Sequence, residues 1–384
     1  MSIFESLDDL RTRRSAKWRV YPADVLPAWV AEMDYSIAEP IADELMAAVR
    51  RSDIGYRDVT GLGEAFAGYA HRAWEWEVDP AHVMVVGDVV SGVAESIRHL
   101  TAPGSSVVIN PPVYPPFFSS VTKVAGRELA EVPLLRDPDG TYRWDLDAMA
   151  AAFARPDVSA FLMCHPHNPT GSVATRAELE TIAALAAEHD VLVVADEIHG
   201  PLTLPGAQHL PYLSVAGADA NAVVVTSASK SWNIPGLKCA QVVASARTAP
   251  DLARMPVEVT FSAGNLGVMA AIAAFDSGQP WLDEVVAAID SNRRLLADLV
   301  ASQLPGVRYA MPAASYLAWL DFTDTDLGPN PAEVLLERGR VALSPGPYYG
   351  AQGRGFARLN FATSPEILRE IVARVAHGMA GSPA

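Results

Sequence analysis

Lysine is scarce in this chain. There are four among 384 residues, Lys17, Lys123, Lys230 and Lys238, and arginine carries the rest of the positive charge. Net charge is −16 with no basic patch in view, which argues against nucleic acid and anionic membrane as partners. Cysteine is nearly absent. Cys164 and Cys239 lie far apart, each beside apolar strand-like residues, and read as buried free thiols of a reducing compartment. No apolar run approaches the ~18 residues of a membrane span. The first residues lack the basic and apolar regions of a signal peptide, so cytoplasm is the expected location. Internal repeats and low-complexity tracts are missing as well. With 50% hydrophobic and 19% charged residues the composition excludes disorder and suits a well-packed soluble protein.

At this length two domains are expected, or one large domain with a satellite. Residues 1–45 are irregular, with prolines at 22, 27 and 40 and a compact aromatic and acidic patch at 29–35. They read as an arm lying on a larger body. Through 46–279, apolar runs at 83–86, 106–110, 158–163, 191–195, 222–226 and 240–244 alternate with helical periodicity, as at 93–100 and 176–189. Continuous apolar strands of this kind belong to a largely parallel sheet covered on both faces. From 280 the character changes. Leu282, Val285, Ile289, Leu296 and Leu299 mark a long amphipathic helix, strands follow at 316–322 and 357–361, and a last helix runs over 365–377. The expected fold class is α/β, with a large domain at 46–279 and a smaller α+β domain at 280–384 that the arm at 1–45 joins.

The conspicuous polar residues all fall just after strands. That places them along one edge of one sheet, where ligands of open α/β sheets bind. The turn at 87–92 leads into a helix and offers the backbone N–H groups of Val89, Val90 and Ser91 to an anion. It is neither a G-x-G-x-x-G turn nor a Walker loop, so nucleotide binding has no direct support. Tyr114 stands in a proline-rich loop, Asn168 follows the run at 158–163, and Asp196 and His199 follow the run at 191–195. Ser227, Ser229, Lys230 and Lys238 follow the run at 222–226. A phosphate would take the N–H cradle with Ser227, Ser229 and Lys238. A flat ring would take Tyr114, a protonated ring nitrogen Asp196, a phenolate oxygen Asn168 with His199, and an aldehyde Lys230. Pyridoxal 5′-phosphate (PLP) is the common cofactor that meets the whole list.

Singly, each residue has an ordinary explanation. Lys230 reads equally as a solvated loop lysine, Tyr114 as packing among prolines, Asp196 as a helix cap, and Glu32 and Asp34 as solvated carboxylates. Cys164, His165 and His167 resemble half a metal site, but no second set of ligands follows, so no metal is expected.

Taken in order, the motifs Asn168-Pro-Thr-Gly171, Asp196-Glu-Ile-His199, Ser227-x-x-Lys230 and Arg358-Leu-Asn360 resemble those of the fold-type I PLP enzymes, the aspartate aminotransferase superfamily, over essentially the whole chain. The segments at 26–35, 111–114, 165–171 and 229–238 are most similar to the cystathionine β-lyase and cysteine-S-conjugate β-lyase subgroup. That subgroup often has a second tyrosine where this chain has Pro115.

The resemblance implies a seven-stranded-type sheet in the large domain and assigns roles. Lys230 anchors PLP and then acts as the base at Cα. Asp196 holds the pyridinium, Tyr114 stacks on the ring, and Asn168 bonds its phenolic oxygen. The cradle, Ser227 and Lys238 hold the phosphate. Arg358 pairs with the carboxylate of a small amino-acid substrate. Arg354 competes for that place, but it lies between glycines, whereas Arg358 has a strand-like context. Tyr56 is implied to serve the partner subunit's phosphate and substrate across a homodimer interface. The implied activity is β-elimination of cysteine thioethers, or amino-group transfer by the same residues. Other readings are a specialised PLP reaction on a cysteine-derived intermediate, and a PLP-fold protein that works by binding a regulator, since the subgroup includes a maltose-regulon modulator.

Overall fold

A computed structural model describes residues 3–381. The larger sheet has seven strands: β1 (Val83–Val86), β2 (Ser106–Ile109), β3 (Glu128–Glu131), β4 (Val158–Cys164), β5 (Leu192–Asp196), β6 (Ala222–Thr226) and β7 (Ala240–Ala244). Their spatial order is β1-β7-β6-β5-β4-β2-β3. β7 pairs antiparallel with both neighbours, and the remaining pairings are parallel. The sheet is thus parallel but for one strand.

Apart from the edge strand β3, whose Glu128 and Glu131 are exposed, the strands are largely apolar on both faces because both faces are covered. In β5, Val193 and Ala195 pack into one buried cluster, while Leu192 and Val194 pack into another. In β6, Val224 joins the first and Val223 and Val225 the second. The period of two is therefore present but silent in the sequence, since hydrophobic residues occupy both phases. Helix Arg176–Glu188 covers the first face through Leu179 and Ile182 and opens with a capping box between Thr175 and Glu178. Helix Val89–Leu100 covers the second through Val93 and Ile97. A Cβ at Gly92 would lie 2.9 Å from Val225 and 3.1 Å from Val86, so glycine lets this helix press its first turn onto the sheet. The helix begins at Val89, earlier than the periodicity at 93–100 suggests, because the Asp88 side chain caps it by accepting the Ser91 N–H at 2.8 Å.

A second sheet is antiparallel throughout. It comprises β8 (Arg308–Tyr309), β9 (Leu317–Asp321), β10 (Ser344–Pro345) and β11 (Phe356–Asn360), in the order β8-β9-β11-β10. Helices Gln279–Gln303, Pro331–Gly339 and Pro365–Met379 accompany it. The N-terminal arm reaches this region: Leu26–Pro27 pairs in parallel with Val341–Ala342. The arm is less irregular than its sequence suggests, with helices Leu7–Thr12 and Ala16–Arg19. Among the described residues, no helix is long and apolar enough to cross a membrane.

Candidate active site

The parallel strands deliver their carboxyl ends to one edge, and a cavity of about 350 Å³ opens there. In register, Cys164 of β4 pairs with Asp196 of β5, and Asp196 with Val225 of β6. Asp196 ends its strand and lines the cavity, 5% exposed. Lys230 follows β6 on a short helix, Ala228–Ser231, and its Nζ donates to the Ala31 carbonyl at 2.8 Å. Tyr114 lines the same cavity, edge-on to Phe117 at 6.1 Å between ring centres.

Asn168 and Arg358 meet there from different sheets. Arg358 donates from Nη1 to Asn168 Oδ1 at 3.0 Å and from Nη2 to the Trp29 carbonyl at 3.0 Å. Its guanidinium lies 5.3 Å from the Tyr349 ring centre, and its Nε has no hydrogen-bond partner. Arg354 is exposed and does not line the cavity.

The first turn of helix Val89–Leu100 closes another side, through Val89, Val90 and Ser91. Asp88 caps the Ser91 N–H, while the N–H groups of Val89 and Val90 have no acceptor within the helix. Lys238 pairs with the Asp88 carboxylate at 2.9 Å. Ser229 and His199 complete the lining from the predicted set. Two expected residues lie elsewhere. Ser227 does not line the cavity: its hydroxyl donates to the Cys239 carbonyl at 2.6 Å and accepts the Ser229 N–H at 3.0 Å, so it builds the Lys230 turn from below. Tyr56 is 95% exposed, outside the cavity.

Burial sets the electrostatics. It pushes the Asp196 carboxyl up to about 7; the neighbouring Glu197 adds to the rise, and the Ile198 N–H and Lys230 oppose it. Burial holds the Lys230 amine down to about 8, with help from Arg358, while Glu32 and Asp196 pull the other way. His199 is pushed down to about 3 by burial and by the charges of Lys230 and Arg358, so it is a neutral ring at pH 7. Its Nδ1 has no partner. Tyr114 is raised to about 12, chiefly by burial, and stays a phenol.

The family model of aminotransferase class I and II matches residues 21–375. The chain belongs to this family. It is 43% identical to a protein of Mycobacterium leprae provisionally named cystathionine beta-lyase, with 97% of each chain covered. It is 35% identical to the cystathionine beta-lyase of Corynebacterium glutamicum over 97% of this chain and 99% of that one. Its structure matches the crystal structure of a provisionally named PLP-dependent beta-cystathionase of Corynebacterium diphtheriae at a TM-score of 0.92, with 34% identity and 99% of each chain covered.

In this aminotransferase class I and II chain one part of the cavity was not legible from side chains. Val30 and Ala31 of the arm line it, and the arm contributes main chain to Lys230 through the Ala31 carbonyl and to Arg358 through the Trp29 carbonyl. The sequence signal was indirect: a compact patch at 29–35 in an otherwise irregular arm. Asp34, which reads equally as a solvated carboxylate, is buried against Lys17 at 2.7 Å.

Proposed function

We propose that this protein is a PLP-dependent carbon–sulfur β-lyase that converts cysteine thioethers to pyruvate, ammonia and a thiol. The observation that carries the reading is the convergence of Lys230, Asp196 and the N-terminus of helix Val89–Leu100 on one cavity. Similarity over 97% of the chain to the cystathionine beta-lyase of Corynebacterium glutamicum selects the lyase among reactions that such a site supports.

The residues present fit PLP. The cavity, about 350 Å³, is in the range of small-molecule sites. At one end stand two helix N–H groups without helical acceptors, beside the Lys238 ammonium, which suits a phosphate. The Asp196 carboxyl, raised to about 7, suits sharing a proton with a ring nitrogen. His199 Nδ1 and Arg358 Nε, both buried without partners, are left for a bound group. Bound PLP supplies an electron sink that makes a substrate's Cα–H acidic.

The chain supplies everything else. Arg358 takes the substrate carboxylate; its fork is pre-aimed by Asn168 and the Trp29 carbonyl, and its Nε N–H is free. Lys230, with its amine drawn down to about 8, accepts the Cα proton near neutral pH, where a base of matched strength is most effective. Tyr114 and Asn168 line the cavity where the ring would lie, Tyr114 as the aromatic face for it and Asn168 as an amide donor for its phenolic oxygen. Val89, Val90, Ser229 and Lys238 would hold the phosphate, and Ser227 holds the turn that carries Ser229 and Lys230. When the substrate bears a thioether sulfur on Cβ, the Cβ–S bond breaks after proton removal and the sulfur leaves as a thiolate, which takes up a proton to become the thiol product.

A cytoplasmic homodimer is part of this reading. The buried free thiols suit a reducing compartment. Exposed Met46, Val49, Ile54, Tyr56, Val257 and Phe261 suit burial against a second copy, through which Tyr56 would reach the partner's site.

Incubation with L-cystathionine and with one S-alkyl cysteine, with and without an α-keto acid, tests the proposal. Pyruvate and ammonia formed without the keto acid are expected. Amino transfer that depends on the keto acid, with no free ammonia, would replace the lyase with an aminotransferase. Lys230→Ala is expected to remove the visible absorption of the PLP-loaded protein and to lower kcat by on the order of 10⁴-fold.

A further inference from the structure

Lys17 is one of four lysines, and it is 1% exposed. Its ammonium pairs with Asp34 at 2.7 Å and donates to the Glu32 carbonyl at 3.0 Å. Trp18 Nε1 donates to the other Asp34 oxygen at 3.2 Å, and Ser15 donates to the Glu32 carboxylate at 2.5 Å. A four-residue helix, Ala16–Arg19, thereby grips residues 32–34 of the arm. A buried ion pair is a weak source of stability, since its desolvation offsets its attraction. Fixing one conformation is the better-founded role for such a pair, and the conformation fixed here bears on the active site.

The segment 29–34 is held from both sheets. Asn233, three residues after Lys230, accepts the Met33 N–H at 2.8 Å and donates to the Met33 carbonyl at 3.0 Å. Asn360, two residues after Arg358, donates to the carbonyls of Val30 at 2.8 Å and Glu32 at 2.7 Å. In return, the segment gives its Ala31 carbonyl to Lys230 and its Trp29 carbonyl to Arg358. Arg13 also donates to the Met33 carbonyl at 3.1 Å, and the Asp34 N–H donates to the Ala362 carbonyl at 2.9 Å. The segment is a strap that ties the proposed proton acceptor on one sheet to the proposed carboxylate receptor on the other.

We infer that Lys17 is a positioning residue for the reaction: through Asp34 and the Glu32 carbonyl it holds the strap in the one register that aims Lys230 and Arg358 at the same substrate. This rests on the roles proposed above for Lys230 and Arg358. It assigns function to a residue that touches neither substrate nor cofactor.

The test compares the PLP-loaded wild type with Lys17→Met/Asp34→Asn, which removes both charges without stranding a buried carboxylate, and with Trp18→Phe, which removes a single hydrogen bond to Asp34. Three readouts are taken: visible absorption, steady-state kinetics, and amide hydrogen exchange of residues 29–35 against the core strand Ala240–Ala244. The double variant is expected to keep its absorption and its core protection, to exchange the strap amides about 10-fold faster, and to lose about 10²-fold in kcat/KM, mostly through KM. Trp18→Phe is expected to move the same quantities in the same direction by a few fold. A double variant with a loosened strap and kcat/KM within twofold of wild type would overturn the inference, as would an unchanged strap. If the double variant does not fold, Trp18→Phe decides, and kinetics that stay at wild-type values while its strap amides exchange faster would overturn it equally. Failure of the β-lyase reading shows separately, in wild-type products, and leaves the exchange result standing.

Discussion

Asp196 and Glu197 are adjacent, both buried, and both held well above the ordinary carboxylate range, Asp196 at about 7 and Glu197 at about 8. They lie on opposite sides of one strand end and differ in how they are answered. Glu197 accepts the Tyr212 N–H at 2.6 Å and meets His209 at 3.1 Å, and the His209 ring packs on His165 at 4.7 Å. Burial pushes both histidines down and Glu197 up, so it favours the uncharged form of every member of this cluster. Asp196 takes one N–H, from Ile198 at 3.2 Å, and lines the cavity. A perturbed carboxyl is therefore no sufficient mark of a functional one. Glu197 has its partners inside the protein, while Asp196 is left to find one in a ligand.

Exchanging each for its amide breaks the pair apart. Asp196→Asn removes the group proposed to hold the ring proton, and kcat/KM for a cysteine thioether is expected to fall on the order of 10²–10³-fold. Glu197→Gln keeps the shape and polarity of a protonated glutamate, so kcat/KM is expected to stay within about 3-fold of wild type, and stability within about 1 kcal/mol. Steady-state kinetics and thermal denaturation of the two variants side by side check this. Comparable losses of activity in both would show that the Glu197 cluster belongs to the chemistry after all.

The same contrast has a pH signature in the PLP-free protein. Asp196 has an ordinary pKa of 3.8 and a folded value of about 7, so between these the folded chain holds a proton that the unfolded chain has lost. Its contribution to stability falls as pH rises through that window, and the full cost is in place above about 7. Asp196→Asn removes this cost. The variant is expected to be more stable than wild type, and its advantage to be larger at pH 8 than at pH 5 by about 2–3 kcal/mol. Denaturant titrations at the two pH values measure it. A variant inactive yet more stable would mark Asp196 as a site residue that the fold tolerates rather than requires.

What the sequence disclosed follows from where chemistry and hydrophobicity change together. Apolar runs ending in Asp196 and leading to Lys230 and Asn168 located the strands and their common edge, because buried parallel strands leave polar residues only at their ends. The β11 strand around Arg358 was legible for the same reason. Three features were not. The carbonyls of Trp29 and Ala31 act through main chain, which any residue carries. The Lys17–Asp34 pair is buried by the strap's own path, and nothing local separates it from two solvated charges. The inward turn of the Ser227 hydroxyl depends on the Cys239 carbonyl, which the antiparallel return of β7 brings beside it. All three are consequences of tertiary placement, and all three involve segments that cross between elements rather than lie within one.

Asp88 gives a third carboxylate, and the smallest expected effect. Unlike Asp196 it has a side-chain cation, Lys238 at 2.9 Å, and unlike Glu197 it is open to water, with side-chain exposures of 59% for Lys238 and 36% for Asp88. An exposed pair of this kind contributes about 0–1 kcal/mol to stability. Lys238 also sits at φ 55°, a left-handed conformation that alanine would occupy at similar strain, so Lys238→Ala changes charge and little else. Stability is expected to move by less than about 1 kcal/mol, whereas the dissociation constant of PLP, measured by fluorescence titration of the stripped protein, is expected to rise about 10-fold, as loss of one charge-assisted contact to a phosphate implies. The rise should shrink as salt is added, since a half-exposed ammonium is screened. An unchanged dissociation constant would mean that the helix N–H groups of Val89 and Val90 hold the phosphate without the lysine, and that Lys238 serves only to neutralise the Asp88 cap.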